Sequence, residues 1–393
     1  MPAEASEEFI RAIHAAPLEL VLAVTGGGSR AVSALLEVPG ASRTVLEAVV
    51  PYSAAALTDW LGATPEHFCD DRTARAMAMA AYQRAIRFAE PASATSPPRA
   101  LAGVGCTASL ASDRPKRGAH RLHAALQTAS LTLVESLELT KGLRSRLEEE
   151  QLAAAVVLNL IAEACGLDER LDLSLTPAGQ IVSARAEAPL AWQDLLAGRI
   201  ACADTQGELI PLPGEAAQRR RRVIFAGAFN PLHDGHQRMA RVAAERLKLP
   251  VEFEISIVNV DKPPLDFLEM QRRAEQFGPS EKLWFTTAAT FVEKAAIFAP
   301  VTFLVGADTI ARIAEAKYYA SETACREAIE RLAAQQCRFL VFGRQLAGGY
   351  AALGDLELPE ALRRLCDEVP EAAFRADISS TELRRASAQD DDA

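Results

Sequence analysis

Apolar positions along the chain switch between short β-like runs and longer stretches at helical spacing. Residues 6–15 carry apolar side chains three and four apart, which predicts a helix. Leu18–Val24 (LELVLAV) reads as a buried strand, TGGGS as a turn, Arg30–Glu37 as a helix and Thr44–Val50 as a second strand. Arg72–Glu90 is helical in pattern, and PASATSPP, residues 91–98, has the composition of a surface loop. Leu101–Ser109 and His120–Ala129 fit strands, and Leu131–Gly166 fits one or two long helices ended by Gly166. Residues 167–222 then break into short β-like pieces (LDLSL, GQIVSARA, GELIPL) separated by proline and glycine, and read as a linker or β-rich extension. From Val223 strand and helix alternate regularly. Strands are expected at Val223–Ala226, Val251–Val258, Lys282–Thr287, Thr302–Val305 and Arg338–Phe342. Helices are expected at His236–Leu247, Met270–Phe277, Phe291–Ile297, Thr309–Ala314 and Glu322–Ala334. Such alternation implies a Rossmann-like parallel sheet with helices on both faces and a ligand at the carboxyl ends of its strands. The chain thus divides into 1–166, 167–222 and 223–393, two α/β regions around an extension.

Composition narrows the class. A chain of 393 residues with 49% hydrophobic and 24% charged residues is ordinary globular material for two or three domains. The net charge of −10 argues against broad nucleic-acid binding, but leaves room for a small anion held by a local basic site. Arg219–Arg222 reads as a solvated run at a domain boundary. Seven cysteines without a CxxC pair suit a reduced, cytoplasmic protein. The acidic MPAEASEEF has no apolar signal core, and no run of about 18 apolar residues predicts a membrane span. The AQDDDA tail is expected to be disordered.

The chemistry concentrates in FAGAFNPLHDGHQ, residues 225–237, which holds two of the six histidines. The strand VIFA ends at Ala226, Gly227 permits close backbone approach, and Asn230-Pro231 makes a turn. His236 then falls near the first turn of a helix, where N–H groups and the dipole favour phosphate, and His233 can face the same pocket. Two imidazoles there can donate to phosphoryl oxygens in a transition state. A directly bound metal lacks a third ligand, since Asp234 between the histidines is expected to point away. Near the C-terminus, ISSTELR (378–384) offers the hydroxyls of Ser379, Ser380 and Thr381 at a helix start, with Arg384 as a planar fork for phosphate. The same residues also read as a plain helix-capping box.

GAFNPLHDGH resembles the GxFxPxHxGH signature of the nucleotidyltransferase superfamily that includes nicotinate and nicotinamide mononucleotide adenylyltransferases. ISSTELR is similar to that family's triphosphate motif, and FLVGADT (303–309) to its GxD segment, in the same order along the chain. The resemblance implies transfer of AMP from ATP, carried with Mg²⁺, to a pyridine mononucleotide with release of pyrophosphate, as in NAD biosynthesis. It implies that His233 and His236 stabilise the transition state and that Ser379, Ser380, Thr381 and Arg384 hold the triphosphate. Gly227, Phe229 and Asn230 would line the site, Asp308 would bind a ribose or adenosine part, and Lys262 would contact the phosphates or the mononucleotide. Trp284 fits a core residue better than a stacking platform. Transfer of AMP or CMP to another phosphorylated acceptor, and nucleotide binding without catalysis, are the competing readings. A homo-oligomer is compatible with all three.

Residues 17–166 resemble the CinA C-terminal domain, a nicotinamide mononucleotide deamidase fold, through VTGGGSRAVSALLEVPGAS and VVPYS. Thr25 stands where that family's serine nucleophile is expected, followed by Gly26 and Gly27, and Tyr52-Ser53 matches its tyrosine–serine pair. The expected lysine a few residues on is replaced by Ala54-Ala55-Ala56-Leu57, which puts hydrolysis in doubt because a hydroxyl needs a neighbouring base or cation. A binding or structural role is expected, with the glycine turn suited by its composition to cradle a phosphate.

Overall fold

The computed structural model describes residues 5–89, 99–113, 117–175, 179–207, 220–258, 263–346 and 349–375. It divides into two compact units, Met1–Gln193 with Asn259–Met270, and Asp194–Val258 with Gln271–Ala393. Both units are α/β. Lys262, Ser379, Ser380, Thr381, Arg384, the PASATSPP loop and the acidic tail lie outside the described residues.

The first unit runs α1 (Glu7–Ala15), β1 (Leu18–Thr25), α2 (Ser29–Glu37), β2 (Val45–Val49), α3 (Ala54–Leu61), α4 (Asp71–Phe88), β3 (Ala100–Ser109), β4 (His120–Thr128), β5 (Leu131–Leu139), α5 (Arg146–Ala164) and β6 (Ile181–Glu187). The strands order as β2-β1-β3-β4-β5-β6. β1 pairs parallel with β2 and β3, and β3 through β6 pair antiparallel. One face buries Leu20, Leu22, Val104, Leu122 and Leu126 under α1, α2 and α5. The opposite face packs on α4, where β3 is glycine-rich for a steric reason. A Cβ on Gly103 or Gly105 would run into the α4 backbone at Ala74, Ala78 and Tyr82.

Two local expectations change here. Leu131–Leu139 is a strand rather than helix, because Thr128 Oγ1 accepts from the Ser130 and Leu131 N–H groups at 3.2 and 3.0 Å and turns the chain into a hairpin. LDLSL forms no strand. Leu171, Leu173 and Leu175 pack against the first core without a pairing partner, so their alternation records docking rather than β-structure. GQIVSARA does pair, as β6 on the edge of the first sheet.

The chain continues with α6 (Leu190–Leu196), β7 (Cys202–Asp204), β8 (Arg222–Ala226), α7 (Asp234–Leu247), β9 (Val251–Ser256), α8 (Phe267–Ala274), β10 (Leu283–Thr286), α9 (Phe291–Phe298), β11 (Val301–Gly306), α10 (Ala307–Ala314), α11 (Glu322–Ala334), β12 (Arg338–Phe342), β13 (Arg344–Leu346), β14 (Gly349–Ala351), α12 (Glu360–Arg363) and β15 (Cys366–Val369). The second sheet orders as β15-β12-β11-β8-β9-β10-β7 and is parallel except where β7 joins β10. Ile224, Phe303, Val305, Phe339 and Val341 point to one face, under α9, α10 and α11. Phe225 and Phe253 point to the other, against Phe229 and Phe277. Of the arginine run, Arg219 lies outside the described residues, and Arg221 and Arg222 are only partly solvated. Arg221 donates to the carbonyls of Val301 and Gln336, and Arg222 pairs with Glu252 at 3.1 Å and lies over the Trp284 ring. Trp284 is fully buried and donates to Glu252 at 2.6 Å, a core residue as expected.

Candidate functional site

β8 lies between β9 and β11 in the second sheet. The chain leaves β8 toward β9 on one side and returns to β11 on the other, the topological switch point at whose carboxyl edge ligands of such sheets sit. The segment 227–233 occupies the exit of β8, and Gly306–Asp308 the exit of β11.

Local packing shapes the first loop. Phe229 has φ 45°, in the left-handed region that a bulky residue seldom adopts, and only 1% of it is exposed. Its ring meets Phe225, Phe253, Phe277 and His236 edge-on at centroid distances of 5.1–5.6 Å. Gly227 is glycine because a Cβ there would strike that ring. Gly227 N–H donates to the Glu254 carbonyl at 3.0 Å, continuing the β8–β9 ladder for one residue.

α7 starts immediately after His233. The His233 N–H donates to His236 Nδ1 at 3.3 Å, and the two rings stack with centroids 3.7 Å apart. Because Nδ1 accepts, the proton of neutral His236 sits on Nε2, the nitrogen left to donate to a ligand. Burial, then His233, then the Arg344 guanidinium push the His236 pKa down to about 3. Burial and Arg344 also lower His233, against an opposing pull from Asp234. Both rings are therefore uncharged donors. Neither ring nitrogen of His233 has a hydrogen-bond partner among the described residues, although both are buried. A buried polar atom without a partner is costly and marks a place where a ligand atom can complete the bonding.

Asp308, in the first turn of α10, accepts from Arg312 at 2.8 Å and lies 3.6 Å from Arg344. Gly306 leaves the space in which Asp308 and Arg344 meet. The structure thus brings Gly227, Phe229, Asn230, His233 and His236 onto one loop and helix start, and places Asp308 beside an arginine whose charge reaches both histidines. Pattern reading missed Arg344 and a group on and after α8. Arg272 donates to Asn230 Oδ1, Arg273 to the Ala228 carbonyl, and Gln276 to the Phe229 carbonyl, at 2.5, 2.9 and 3.1 Å. Nothing in the local sequence marks these residues, because their role depends on where α8 ends in space.

Residues 224–386 match the family model of cytidylyltransferase-like proteins. The C-terminal region carries a cytidylyltransferase-like domain. Among solved structures, the chain is similar to the competence/damage inducible protein CihA from Agrobacterium tumefaciens, with 22% identity over 42% of this chain and 99% of that chain, at a TM-score of 0.32. No curated relative matches it.

The first unit has a cavity of about 320 Å³ at the carboxyl ends of β1 and β3, again where strand order reverses. Thr25, Gly26, Tyr52 and Ser53 line it, joined by Thr107 and Arg146, which the pattern had not singled out. Tyr52 is largely exposed, and Ser53 Oγ accepts from the Ala56 N–H as the cap of α3. Gly27 sits just behind, against Leu110 and Glu150. The glycine turn carries its own anion. Glu150, on α5, accepts from Gly28 N–H, Ser29 Oγ and Arg30 N–H at 3.1, 2.8 and 3.2 Å. The donors a phosphate would need there are occupied. Burial also pushes the Cys69 thiol on the cavity wall above its ordinary value, which keeps it protonated.

Proposed function

We propose that the cytidylyltransferase-like domain transfers AMP from ATP, entering as its magnesium complex, to the phosphate of nicotinamide or nicotinate mononucleotide. The observation that carries this reading is the stacked, uncharged His233–His236 pair at the start of α7, with the buried His233 nitrogens unpartnered among the described residues. In the reaction a phosphate oxygen of the mononucleotide attacks the α-phosphorus of ATP. The new P–O bond forms as the bond to pyrophosphate breaks, and negative charge builds on the non-bridging oxygens. Neutral N–H donors already fixed in place stabilise that charge without moving a proton. The amino end of α7 adds its dipole in the same direction. Ser379, Ser380, Thr381 and Arg384 are the proposed triphosphate contacts, Lys262 a further phosphate contact, and Asp308 the ribose or adenosine contact. The protein incubated with MgATP and either pyridine mononucleotide is expected to release pyrophosphate and form the dinucleotide. CTP, and other phosphorylated acceptors such as phosphocholine, form the control arms. Pyrophosphate with CTP alone moves the reading to cytidylyl transfer. No release in any arm overturns it.

We read the first unit as a binding module of the same pathway. Among the described residues lining its cavity there is no lysine, histidine or carboxylate to activate Thr25, and the one cation there, Arg146, already donates to the Gly26 and Ala111 carbonyls.

A further inference from the structure

The end of α8 reads the loop before the histidine pair almost residue by residue. Arg273 Nη1 donates to the Ala228 carbonyl at 2.9 Å, and Arg272 Nη2 donates to Asn230 Oδ1 at 2.5 Å. Gln276 bridges the turn with a single carboxamide. Its Nε2 donates to the Phe229 carbonyl at 3.1 Å, and its Oε1 accepts from the Leu232 N–H at 2.8 Å. Both ends of the carboxamide are used, so its orientation is fixed. The neighbouring Phe277 ring meets Phe229 edge-on at 5.6 Å, closing the same contact from the apolar side.

What these contacts hold is strained. Phe229 is kept in the left-handed region, where a non-glycine residue persists only when its surroundings over-determine it. Its ring lies 5.1 Å from that of His236, and Leu232 directly precedes His233. Phe229 thus touches one histidine directly, and the loop it belongs to leads straight into the other.

We propose that Gln276 is a positioning residue of the nucleotidyl-transfer site, its carboxamide holding residues 229–232 in the conformation that sets the His233–His236 pair. The proposal deepens the function given above and rests on it for its kinetic test only. Gln276→Ala removes both of these bonds, together with the Nε2 donation to the Arg273 carbonyl at 3.4 Å. Gln276→Glu keeps the shape and the acceptor for Leu232 but sets a carboxylate oxygen against the Phe229 carbonyl. Both variants are expected to lower kcat by about 10–100-fold, the scale of a sub-ångström misplacement of reacting groups. KM for the nucleotide should stay within about 3-fold, since orientation rather than binding is lost. A residue that merely filled space would let Gln276→Glu turn over like the wild type, and that result overturns the proposal. The ¹⁵N shifts of His236 in the full-length chain give a readout independent of turnover. The wild type should show an unprotonated Nδ1 and a protonated Nε2, and Gln276→Ala a mixture of tautomers. An unchanged His236 tautomer in a folded Gln276→Ala protein also overturns it. If the wild type turns over no nucleotide, the reaction class fails while the tautomer measurement still decides the role of Gln276.

Discussion

A histidine that stabilises phosphoryl charge as a neutral donor needs two things, a fixed tautomer and a pKa far below the working pH. His236 gets the first from the His233 N–H on its Nδ1, and the second from burial beside His233 and Arg344. Replacing it with alanine should lower kcat by about 100-fold or more, the scale for losing one preorganised donor, and a retained full rate would remove His236 from the mechanism. The same shift sets a pH dependence of stability. The folded pKa lies near 3 and the unfolded value near 6.5, so above about pH 6.5 the ring is neutral in both states. Between those values the unfolded chain takes up a proton that the folded chain refuses, and stability falls as pH falls. Denaturant midpoints at pH 7.5 and pH 5 should therefore drop less in His236→Gln than in the wild type. Equal drops in the two proteins would show that His236 is not desolvated.

At the level of elements, both sites depend on how closely helices approach strands and loops. β3 meets α4 through Gly103 and Gly105, which have no space for a Cβ. Gly105→Val should cost roughly 1–3 kcal/mol or more, because it forces two backbones apart rather than displacing a flexible side chain. Thermal unfolding of the variant checks this, and a melting temperature equal to the wild type would refute the packing argument. In the second unit the corresponding intimacy is polar, between Arg273 and Gln276, at and just after the end of α8, and residues 228–232. The glycine turn before α2 is filled in a third way, by the carboxylate of Glu150 on α5. That contact explains why a turn of phosphate-binding composition need not bind phosphate.

Across the whole molecule the two units repeat one logic on different sheets. Each has a parallel pair at which strand order reverses, β1–β3 in one and β8–β11 in the other; the first has its cavity at the carboxyl ends of that pair, and the second places its histidine loop and Asp308 there. They differ in the chemistry placed there. The second unit supplies neutral nitrogen donors beside an arginine. Among its described cavity-lining residues the first supplies hydroxyls, the Cys69 thiol and Arg146, which already donates to the Gly26 and Ala111 carbonyls. Incubation of the chain with nicotinamide mononucleotide should therefore release no ammonia beyond the uncatalysed rate, while calorimetry detects binding. Ammonia released in proportion to protein would make the first unit a hydrolase.

The sequence by itself determined the α/β class, the alternating elements from Val223 onward and the histidine loop. These follow from local periodicity, and from a strand–turn–helix junction whose residues are contiguous. It misread Leu131–Leu139 as helix because a hairpin turned by one threonine hydroxyl carries little periodic signal. Only the tertiary structure decided that Glu150 occupies the glycine turn from 120 residues away and that burial, with Arg344 beside it, lowers the pKa of both histidines. It also decided that Gln276 clamps the loop across 44 residues of chain. The physical reason is common to all three. Hydrogen bonding and charge act through space over a few ångströms, and only folding brings residues so distant in sequence within that range.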